Sequence, residues 1–390
     1  MKSLIELLFL PVLLIVVPPA SCQEIADWKP QQKKLMSPWG EKPNPGYLFE
    51  SGTDGYHTFR IPAIVTTKKG TLLAFAEGRR NSTSDTGDID LVLKRSEDDG
   101  KTWSDLTVIR SDRGNVCGNP APVVDHTTGK IFLLSTWNLG TDHEPDIIDN
   151  TSEDTRRVFV LSSSDDGKTW SKPKEITGAV KKSDWTWYAT GPCHGIQVEN
   201  GRYRGRMVIP CDHIELGTKK YFSHIIYSDN HGKSWKLGGS TLQDQVNECT
   251  VVELTNGRLM LNMRNYDRAE KSRKVSLSND GGETWSSIFS DKTLIEPICQ
   301  ASLLRYSSDG TIKLLFLNPA HEVERKNMTI RVSEDDGSTW SGKKVLFAGP
   351  SAYSDMTVLP NGNIGCLYEA GLEHPYQGIV FQEVRMDQLE

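Results

Sequence analysis

Short runs of alternating apolar and polar residues recur along the chain, separated by residues that form turns. Such alternation over four to eight residues is typical of half-buried β-strands, and the Gly, Asn and Pro between the runs indicate tight turns. No long amphipathic-helix periodicity accompanies them. The pattern therefore predicts an all-β protein, and five clear runs begin at Thr71, Val158, Arg206, Leu259 and Thr329.

One octapeptide pattern, Ser-x-Asp-x-Gly-x-Thr-Trp, repeats between these runs. Each copy suits a tight hairpin, because Ser and Asp can accept hydrogen bonds from turn amides, Gly adopts positive φ, and Trp buries a large ring. Five copies indicate a structural repeat rather than unrelated surface turns. The copies begin at Ser96, Ser163, Ser278 and Ser333, with a degenerate copy at Ser228.

The long apolar run of the sequence lies at its N-terminus, from Leu4 to Val17. Lys2 precedes it and small residues up to Cys22 follow it. The run is too short for a spanning helix, so residues 1–22 are predicted to be a secretory signal peptide, with a lipid anchor on Cys22 as the alternative. This places the protein in the secretory pathway, in an extracellular, periplasmic or lysosomal compartment, without a membrane span.

The spacing of the repeats predicts the architecture. Successive copies start 50 to 67 residues apart, and repeats of this length that are rich in short strands are typical of radial arrays of four-stranded sheets. Dividing residues 23–390 by about 60 residues per repeat gives six units. We predict a single-domain, six-bladed β-propeller of four-stranded antiparallel sheets, in which one blade lacks the signature or is closed by both chain ends.

Composition narrows the functional class. Of the 390 residues, 37% are hydrophobic and 25% are charged, which is a globular composition. The formal net charge of −6 argues against nucleic-acid binding. No cysteine or histidine spacing suggests a metal site. The six cysteines beyond residue 22 permit disulfides if the protein is secreted.

Arg60 lies in the segment Thr58-Phe-Arg-Ile-Pro62, upstream of all five repeats. This motif, followed by the repeats (Asp-boxes), resembles the exo-sialidase (neuraminidase) family over nearly the whole chain after residue 22. The resemblance implies a monomer that hydrolyses terminal sialic acid from glycoproteins, glycolipids and oligosaccharides with retention of configuration. It implies no metal or organic cofactor.

Sialidases bind the carboxylate of sialic acid with three arginines from different blades. The resemblance assigns these roles to Arg60, Arg264 and Arg325, each within a matching motif. Arginine suits this task because its planar guanidinium pairs a carboxylate through two parallel hydrogen bonds and stays charged. Three arginines would also explain how an acidic protein holds an anionic sugar.

The resemblance further implies that Tyr353 is the nucleophile and Glu248 its general base. A neutral phenol avoids repulsion by the carboxylate that the anomeric carbon of sialic acid carries. A phenol titrates near pH 10, so it needs a base to take its proton. Tyr368 is the competing tyrosine, but its alternating surroundings predict a structural strand residue.

Asp85 resembles the acid/base residue of the family, and it lies on a polar loop. It would protonate the leaving oxygen and later deprotonate the attacking water. Asp88 and Asp90 are alternatives, although the apolar residues that alternate with them predict a strand.

Three further residues have supporting roles by resemblance. Glu369 is expected to orient the first arginine. Arg79 is expected to contact a hydroxyl or the N-acyl group, with Arg80 as the alternative. Asn119 stands where the family often has an acidic residue, and Trp137 either lines the N-acyl pocket or belongs to the core.

Two other functions compete with hydrolysis. A trans-sialidase would use the same residues but pass sialic acid to a second sugar. A non-catalytic sialic-acid-binding propeller could keep the arginines, but it would have no need for Asp85, Tyr353 and Glu248 together.

Overall fold

The computed structural model describes residues 46–308 and 310–389. The predicted signal peptide, Cys22 and the beginning of the predicted domain lie outside the described residues. The described part is built from strands, with two short α-helices, α1 (Glu144–Ile148) and α2 (Thr177–Val180). None of its helices is long and apolar enough to cross a membrane.

The strands are numbered in chain order. They are β1 (Tyr47–Glu50), β2 (Thr58–Thr66), β3 (Leu72–Arg79), β4 (Ile89–Ser96), β5 (Thr107–Arg110), β6 (Val116–Asp125), β7 (Lys130–Asn138), β8 (Arg157–Ser163), β9 (Lys174–Glu175), β10 (Trp185–Thr190), β11 (Ile196–Gln197), β12 (Met207–Glu215), β13 (Tyr221–Ser228), β14 (Lys236–Ser240), β15 (Val246–Glu253), β16 (Leu259–Asn265), β17 (Ser272–Ser278), β18 (Phe289–Ile295), β19 (Ser302–Ser308), β20 (Thr311–Pro319), β21 (Lys326–Ser333), β22 (Gly342–Val358), β23 (Ile364–Ala370) and β24 (Gly378–Val384).

These strands form the six predicted blades. Four blades follow the chain directly, as β2–β5, β6–β9, β10–β14 and β15–β18, with β11 as a short extra strand beside β12. The fifth blade contains β19–β21 and the first part of β22. The same strand continues into the sixth blade, because its second part pairs with β23. The prediction of an all-β, six-bladed propeller is confirmed.

The sixth blade closes the ring. Its third strand is β24, and its fourth is β1, which pairs with β24 in antiparallel register from Tyr47↔Val380 to Glu50↔Gly378. Each Asp-box lies between the third and fourth strands of its blade. In the sixth blade those two strands are the last and the first of the described residues, so no turn joins them and no Asp-box occurs there.

The Asp-box turns have the predicted hydrogen bonds. In the first copy, Ser96 Oγ accepts the amide hydrogen bond of Gly100 at 2.9 Å, and Asp98 accepts both the amide and the hydroxyl of Thr102 at 2.9 and 2.6 Å. Gly100 has φ of 84°, in the left-handed region. The tryptophan joins neighbouring blades, since Trp103 packs edge-on against Phe381 of the sixth blade at 5.1 Å between ring centroids.

All six cysteines of the described residues are buried and free. The disulfides that the sequence permits are therefore absent from this part of the chain. The cysteines contribute as small buried side chains in the blades, and they are Cys117, Cys193, Cys211, Cys249, Cys299 and Cys366.

The direction of the strands defines two faces of the propeller. The first strands of neighbouring blades contact each other, as β2 contacts both β6 and β22. Because neighbouring strands are antiparallel, first strands begin and second strands end on one face, which we call the site face. The Asp-box turns lie on the opposite face.

Candidate active site

The predicted site residues meet in one cavity of about 210 Å³ on the site face. They come from the beginnings of first strands, the ends of second strands and the connecting loops, so a single pocket collects side chains that are far apart in sequence. The predicted catalytic and substrate-binding residues that line this cavity are Arg60, Arg79, Asp85, Glu248, Arg264, Arg325 and Tyr353.

Irregularities in the first strands turn side chains toward this cavity. The register of β2 shifts between Arg60 and Ala63, that of β15 between Val246 and Cys249, and that of β22 around Tyr353. Ile61 has φ of 57°, which is rare for a β-branched residue. Such bulges redirect side chains and are frequent beside active sites, and here they place Arg60, Glu248 and Tyr353 at the pocket.

The hydroxyl of Tyr353 donates a hydrogen bond of 2.6 Å to Glu248 Oε1. Arg264 Nη1 lies 3.0 Å from the same hydroxyl and 2.6 Å from the other carboxylate oxygen, Glu248 Oε2. Burial and the charge of Glu248 raise the pKa of Tyr353 well above its usual value, although Arg264 and Arg325 oppose this rise. The resting phenol is therefore protonated and already bonded to a carboxylate that can accept its proton.

Glu369 orients Arg60 from behind the cavity. One of its oxygens accepts hydrogen bonds from Arg60 Nε at 2.7 Å and from the amide of Ile61 at 2.9 Å. The other oxygen accepts the amide of Tyr353 at 3.1 Å. Glu369 is fully buried, so one carboxylate fixes both an arginine of the pocket and the backbone that carries Tyr353.

Replacing Glu369 by glutamine should lower the free energy of unfolding by about 3 kcal/mol, because it leaves the buried charge of Arg60 without its partner. Urea denaturation would measure this change. Glu324→Gln is the matched control, since Glu324 is exposed and pairs with Lys326 at the surface. It should change stability by less than about 0.5 kcal/mol. Equal effects of the two substitutions would contradict the assigned role of Glu369.

Arg325 reaches the same pocket from the residue before β21. Its Nη1 donates a hydrogen bond of 2.9 Å to the hydroxyl of Tyr376, and its Nη2 donates one of 3.0 Å to the carbonyl of Ile298. The guanidinium carbon of Arg60 lies 3.9 Å from the centroid of the Tyr376 ring. Tyr376 therefore connects two of the three arginines, and sequence analysis did not identify it.

Asp85 lies at the rim, and 64% of its side chain is exposed. Its Oδ1 forms an ion pair of 2.6 Å with Arg79 Nη2. Desolvation on the cavity side raises the pKa of the Asp85 carboxyl, but the charges of Arg79 and Arg60 outweigh this effect and the net pKa is lower than usual. Asp85 is thus ionised in the free protein at neutral pH. Arg79 is held by Glu77 at 2.7 Å and by the carbonyl of Thr83 at 2.6 Å.

Removing the positive charge of Arg79 should raise the pKa of Asp85. If Asp85 must be protonated to act as an acid, kcat/KM falls as pH rises through this pKa. The alkaline limb of the pH profile of Arg79→Gln should therefore move to higher pH than that of the wild type. Arg80→Gln is the control. An equal shift in both variants would show that the Arg79–Asp85 ion pair does not determine the alkaline limb of the pH profile.

Comparison with known proteins identifies the family. Residues 70–366 match the model of the BNR repeat-like domain. An exo-alpha-sialidase of Aspergillus fumigatus is 33% identical over 364 residues, which cover 85% of each chain. This chain belongs to the sialidase family. A sialidase of Bacteroides fragilis is 34% identical over 360 residues, or 86% of this chain, and this chain spans 63% of that relative's length.

A solved structure supports the same assignment for this sialidase-family chain. The structure of the Hadza microbial sialidase Hz136 superposes with a TM-score of 0.80 and 31% sequence identity. The match covers 88% of this chain and 69% of that protein. The resemblance inferred from the motifs is confirmed at the level of family and fold.

Three alternative residues for the candidate site lie elsewhere in the structure. Arg80 Nη2 pairs with Asp90 at 2.6 Å, and its Nε lies 3.4 Å from Asp88. Asp90 belongs to β4, as predicted, whereas Asp88 precedes the strand by one residue. Neither Arg80 nor these two carboxylates line the cavity.

The competing aromatic residues also lie outside the sialidase cavity. Tyr368 is fully buried in β23, and its hydroxyl donates a hydrogen bond to Gln382 Oε1 at 2.8 Å. Trp137 donates from its ring nitrogen to Asp112 at 2.6 Å and lines a separate cleft formed by residues of the first and second blades. The suggestion that Trp137 lines the N-acyl pocket is therefore wrong, and Trp187 lines the cavity instead.

Several residues of the sialidase pocket were missed in the sequence. Asn247 precedes Glu248 and Tyr266 follows Arg264 by two positions, so proximity to a motif offered a signal for these two. Glu77 lies two positions before Arg79, so the same signal was available for it. The others lie in segments without a motif, and they are Glu144, Arg156, Trp187, Asp212 and Tyr376.

Proposed function

We propose that this chain is a retaining exo-α-sialidase that hydrolyses terminal sialic acid from glycoproteins, glycolipids and oligosaccharides. The observation that carries the proposal is the hydrogen bond of 2.6 Å between the Tyr353 hydroxyl and Glu248. This pair lies beside three guanidinium groups in one cavity. A phenol with its own base suits attack at a carbon that already bears a carboxylate, because a second carboxylate would be repelled.

Substrate binding would begin with the arginines. The guanidinium carbons of Arg60 and Arg325 lie 5.2 and 5.6 Å from the centroid of the Tyr353 ring. Arg264 contacts the Tyr353 hydroxyl itself. A carboxylate bound by these three groups is held next to the phenol oxygen, so the anomeric carbon attached to it comes within reach of the nucleophile.

The first chemical step forms a covalent intermediate. The Tyr353 oxygen attacks the anomeric carbon while its proton moves to Glu248, and the glycosidic bond breaks. Asp85, which is ionised in the free protein at neutral pH, must first take up a proton from solvent, and it then gives this proton to the leaving oxygen. Arg264 would stabilise the negative charge that develops on the phenol oxygen as the proton leaves.

The second step reverses these roles. Asp85 removes a proton from water, whose oxygen attacks the anomeric carbon from the side that the leaving group vacated. The bond to Tyr353 breaks, and Glu248 returns the proton to the phenol. Two successive inversions at one carbon give sialic acid with its original configuration.

Proton NMR of a sialoside during hydrolysis tests this proposal. The α-anomer of free sialic acid should appear first and then mutarotate. A second sample with added lactose distinguishes hydrolysis from transfer, because a trans-sialidase would form sialyllactose. The proposal fails if the β-anomer appears first, if sialyllactose is the main product, or if sialic acid is bound but never released from a sialoside.

A further inference from the structure

A second cavity, of about 270 Å³, lies at the end of the propeller axis opposite the candidate active site. Residues of all six blades line it, most of them where the first strand of a blade ends, and the proposed mechanism uses none of them. We call it the axial cavity. Each blade contributes one apolar side chain to its wall, and these six are Ile64, Val124, Ile196, Val252, Leu303 and Met356. Such a ring of apolar side chains favours a ligand with an apolar body.

The axial cavity also contains a polar group whose contacts are incomplete. His194 lines it, and this residue is 7% exposed. Its Nδ1 lies 2.6 Å from Asp355 Oδ1, whereas Nε2 has no hydrogen-bond partner within the part of the chain that the structure describes. The six apolar side chains offer a water at Nε2 no further hydrogen bonds, although an ordered buried water usually makes about three. A hydrogen-bonding group on a ligand would therefore satisfy Nε2 better than water.

Asp355 holds His194 in place. This carboxylate is fully buried, and it accepts the amides of Ile64 at 2.9 Å, His194 at 3.0 Å and Met356 at 2.9 Å. Two of these amides belong to residues of the cavity wall. The imidazole is thus fixed relative to the wall before a ligand arrives, which lowers the entropy cost of binding.

The charges around the axial cavity favour a neutral ligand. Burial lowers the pKa of His194, but the charge and the hydrogen bond of Asp355 outweigh this effect, and the net pKa is higher than usual. An ammonium group would be repelled by the imidazolium, and a carboxylate would be repelled by Asp355 and by Glu253, which also lines the cavity. Arg305, a cation of the lining, already pairs with Glu199. A hydroxyl group suits His194 in both protonation states, because it accepts from the imidazolium and donates to the neutral ring.

We propose that the axial cavity is a second binding site, which takes a small neutral molecule with a compact apolar body and a hydroxyl group bonded to His194 Nε2. An apolar cavity of about 150 Å³ is large enough for benzene, so the axial cavity has room for a six-membered ring with one or two further carbon atoms. This site is separate from the candidate active site, and its occupation does not require sialidase activity.

Carbon-13 NMR of the methionine methyl groups tests this site, because Met356 lines the cavity and is fully buried. A spectrum of Met356→Leu identifies its signal. Cyclohexylmethanol should shift this signal until the site is saturated. Cyclohexanecarboxylate and cyclohexylmethylammonium carry a charged group on the same ring, and they should bind at least about tenfold more weakly. A repeat with the 2,3-unsaturated analogue of sialic acid at saturation excludes a contribution from the arginines of the candidate active site.

Two variants change the axial cavity in different ways. His194→Asn keeps a side-chain N–H for Asp355 but has no atom in place of Nε2, so it should weaken the binding of cyclohexylmethanol by about tenfold. Ile196→Phe fills part of the cavity and should abolish binding of all three probes. His231→Asn is the matched control, because His231 also contacts a carboxylate through Nδ1, at 2.8 Å from Asp125, but does not line the cavity. It should bind cyclohexylmethanol like the wild type.

The proposed site is overturned if cyclohexylmethanol leaves the Met356 signal unchanged, or if either charged probe binds more tightly than the alcohol. It is also overturned if His194→Asn, shown to be folded by circular dichroism, binds the alcohol as tightly as the wild type does. Should that variant not fold, Ile196→Phe and the comparison of the three probes decide the question, and unchanged binding by Ile196→Phe would place the alcohol elsewhere.

Discussion

Replacing Tyr353 by phenylalanine should lower kcat on a fluorogenic sialoside by about a thousand-fold or more. The substitution removes only the oxygen that bonds to Glu248 at 2.6 Å and that lies 3.0 Å from Arg264. The ring stays, as do all three arginines, so binding of the 2,3-unsaturated analogue should change by less than about tenfold. Steady-state kinetics and calorimetry measure the two effects.

Tyr368→Phe is the matched control for this experiment. It also removes one buried tyrosine hydroxyl. This hydroxyl bonds to Gln382 within the sixth blade and lies outside the cavity. Its kcat should stay within about twofold of the wild type, with a modest loss of stability. Full activity of Tyr353→Phe would remove that phenol from the mechanism.

Replacing Asp85 by alanine should affect substrates according to their leaving groups. In a natural sialoside such as sialyllactose, the alkoxide is a poor leaving group. Its kcat/KM should therefore fall by about a thousand-fold. An activated aryl sialoside needs little protonation of its leaving group, so the rate of its first step should fall much less. The ratio of the two losses, measured from kcat/KM, identifies the general acid.

Asp88→Ala provides the comparison for Asp85→Ala. Asp88 is only three residues away, but it lies near Arg80 and outside the cavity. The Asp88→Ala substitution should lower kcat/KM only slightly, and by the same factor for both substrates. If Asp85→Ala lowered kcat/KM equally for both substrates, Asp85 would act in binding or structure rather than as the general acid.

The fold could be predicted because its signals are local. An Asp-box needs only the residues of one turn, as the contacts of Ser96 and Asp98 with their own hairpin show. Alternating runs likewise report the burial of single strands. The five Asp-boxes set the repeat length, and dividing the chain by that length gave six blades. The absence of an Asp-box from the sixth blade follows from its closure by β1 and β24.

The site was predicted only where a motif marked it. Arg60, Arg264 and Tyr353 stand in segments that resemble those of the sialidase family. Asp212 stands between Cys211 and His213 in an ordinary buried strand, where alternation alone assigns it no role. Tyr376 lies in a loop, and its importance arises from contacts with two arginines that approach from distant parts of the chain.

The closure of the ring has a consequence for biosynthesis. Arg60 and Glu369 are 309 positions apart in sequence, and β1 cannot pair until β24 has been synthesised. A ribosome must therefore synthesise the chain as far as β23, which carries Glu369, before the guanidinium of Arg60 can acquire its orientation. A nascent chain that ends before β23 and β24 should be inert toward sialosides, so activity would begin only once these two strands have been synthesised and have folded.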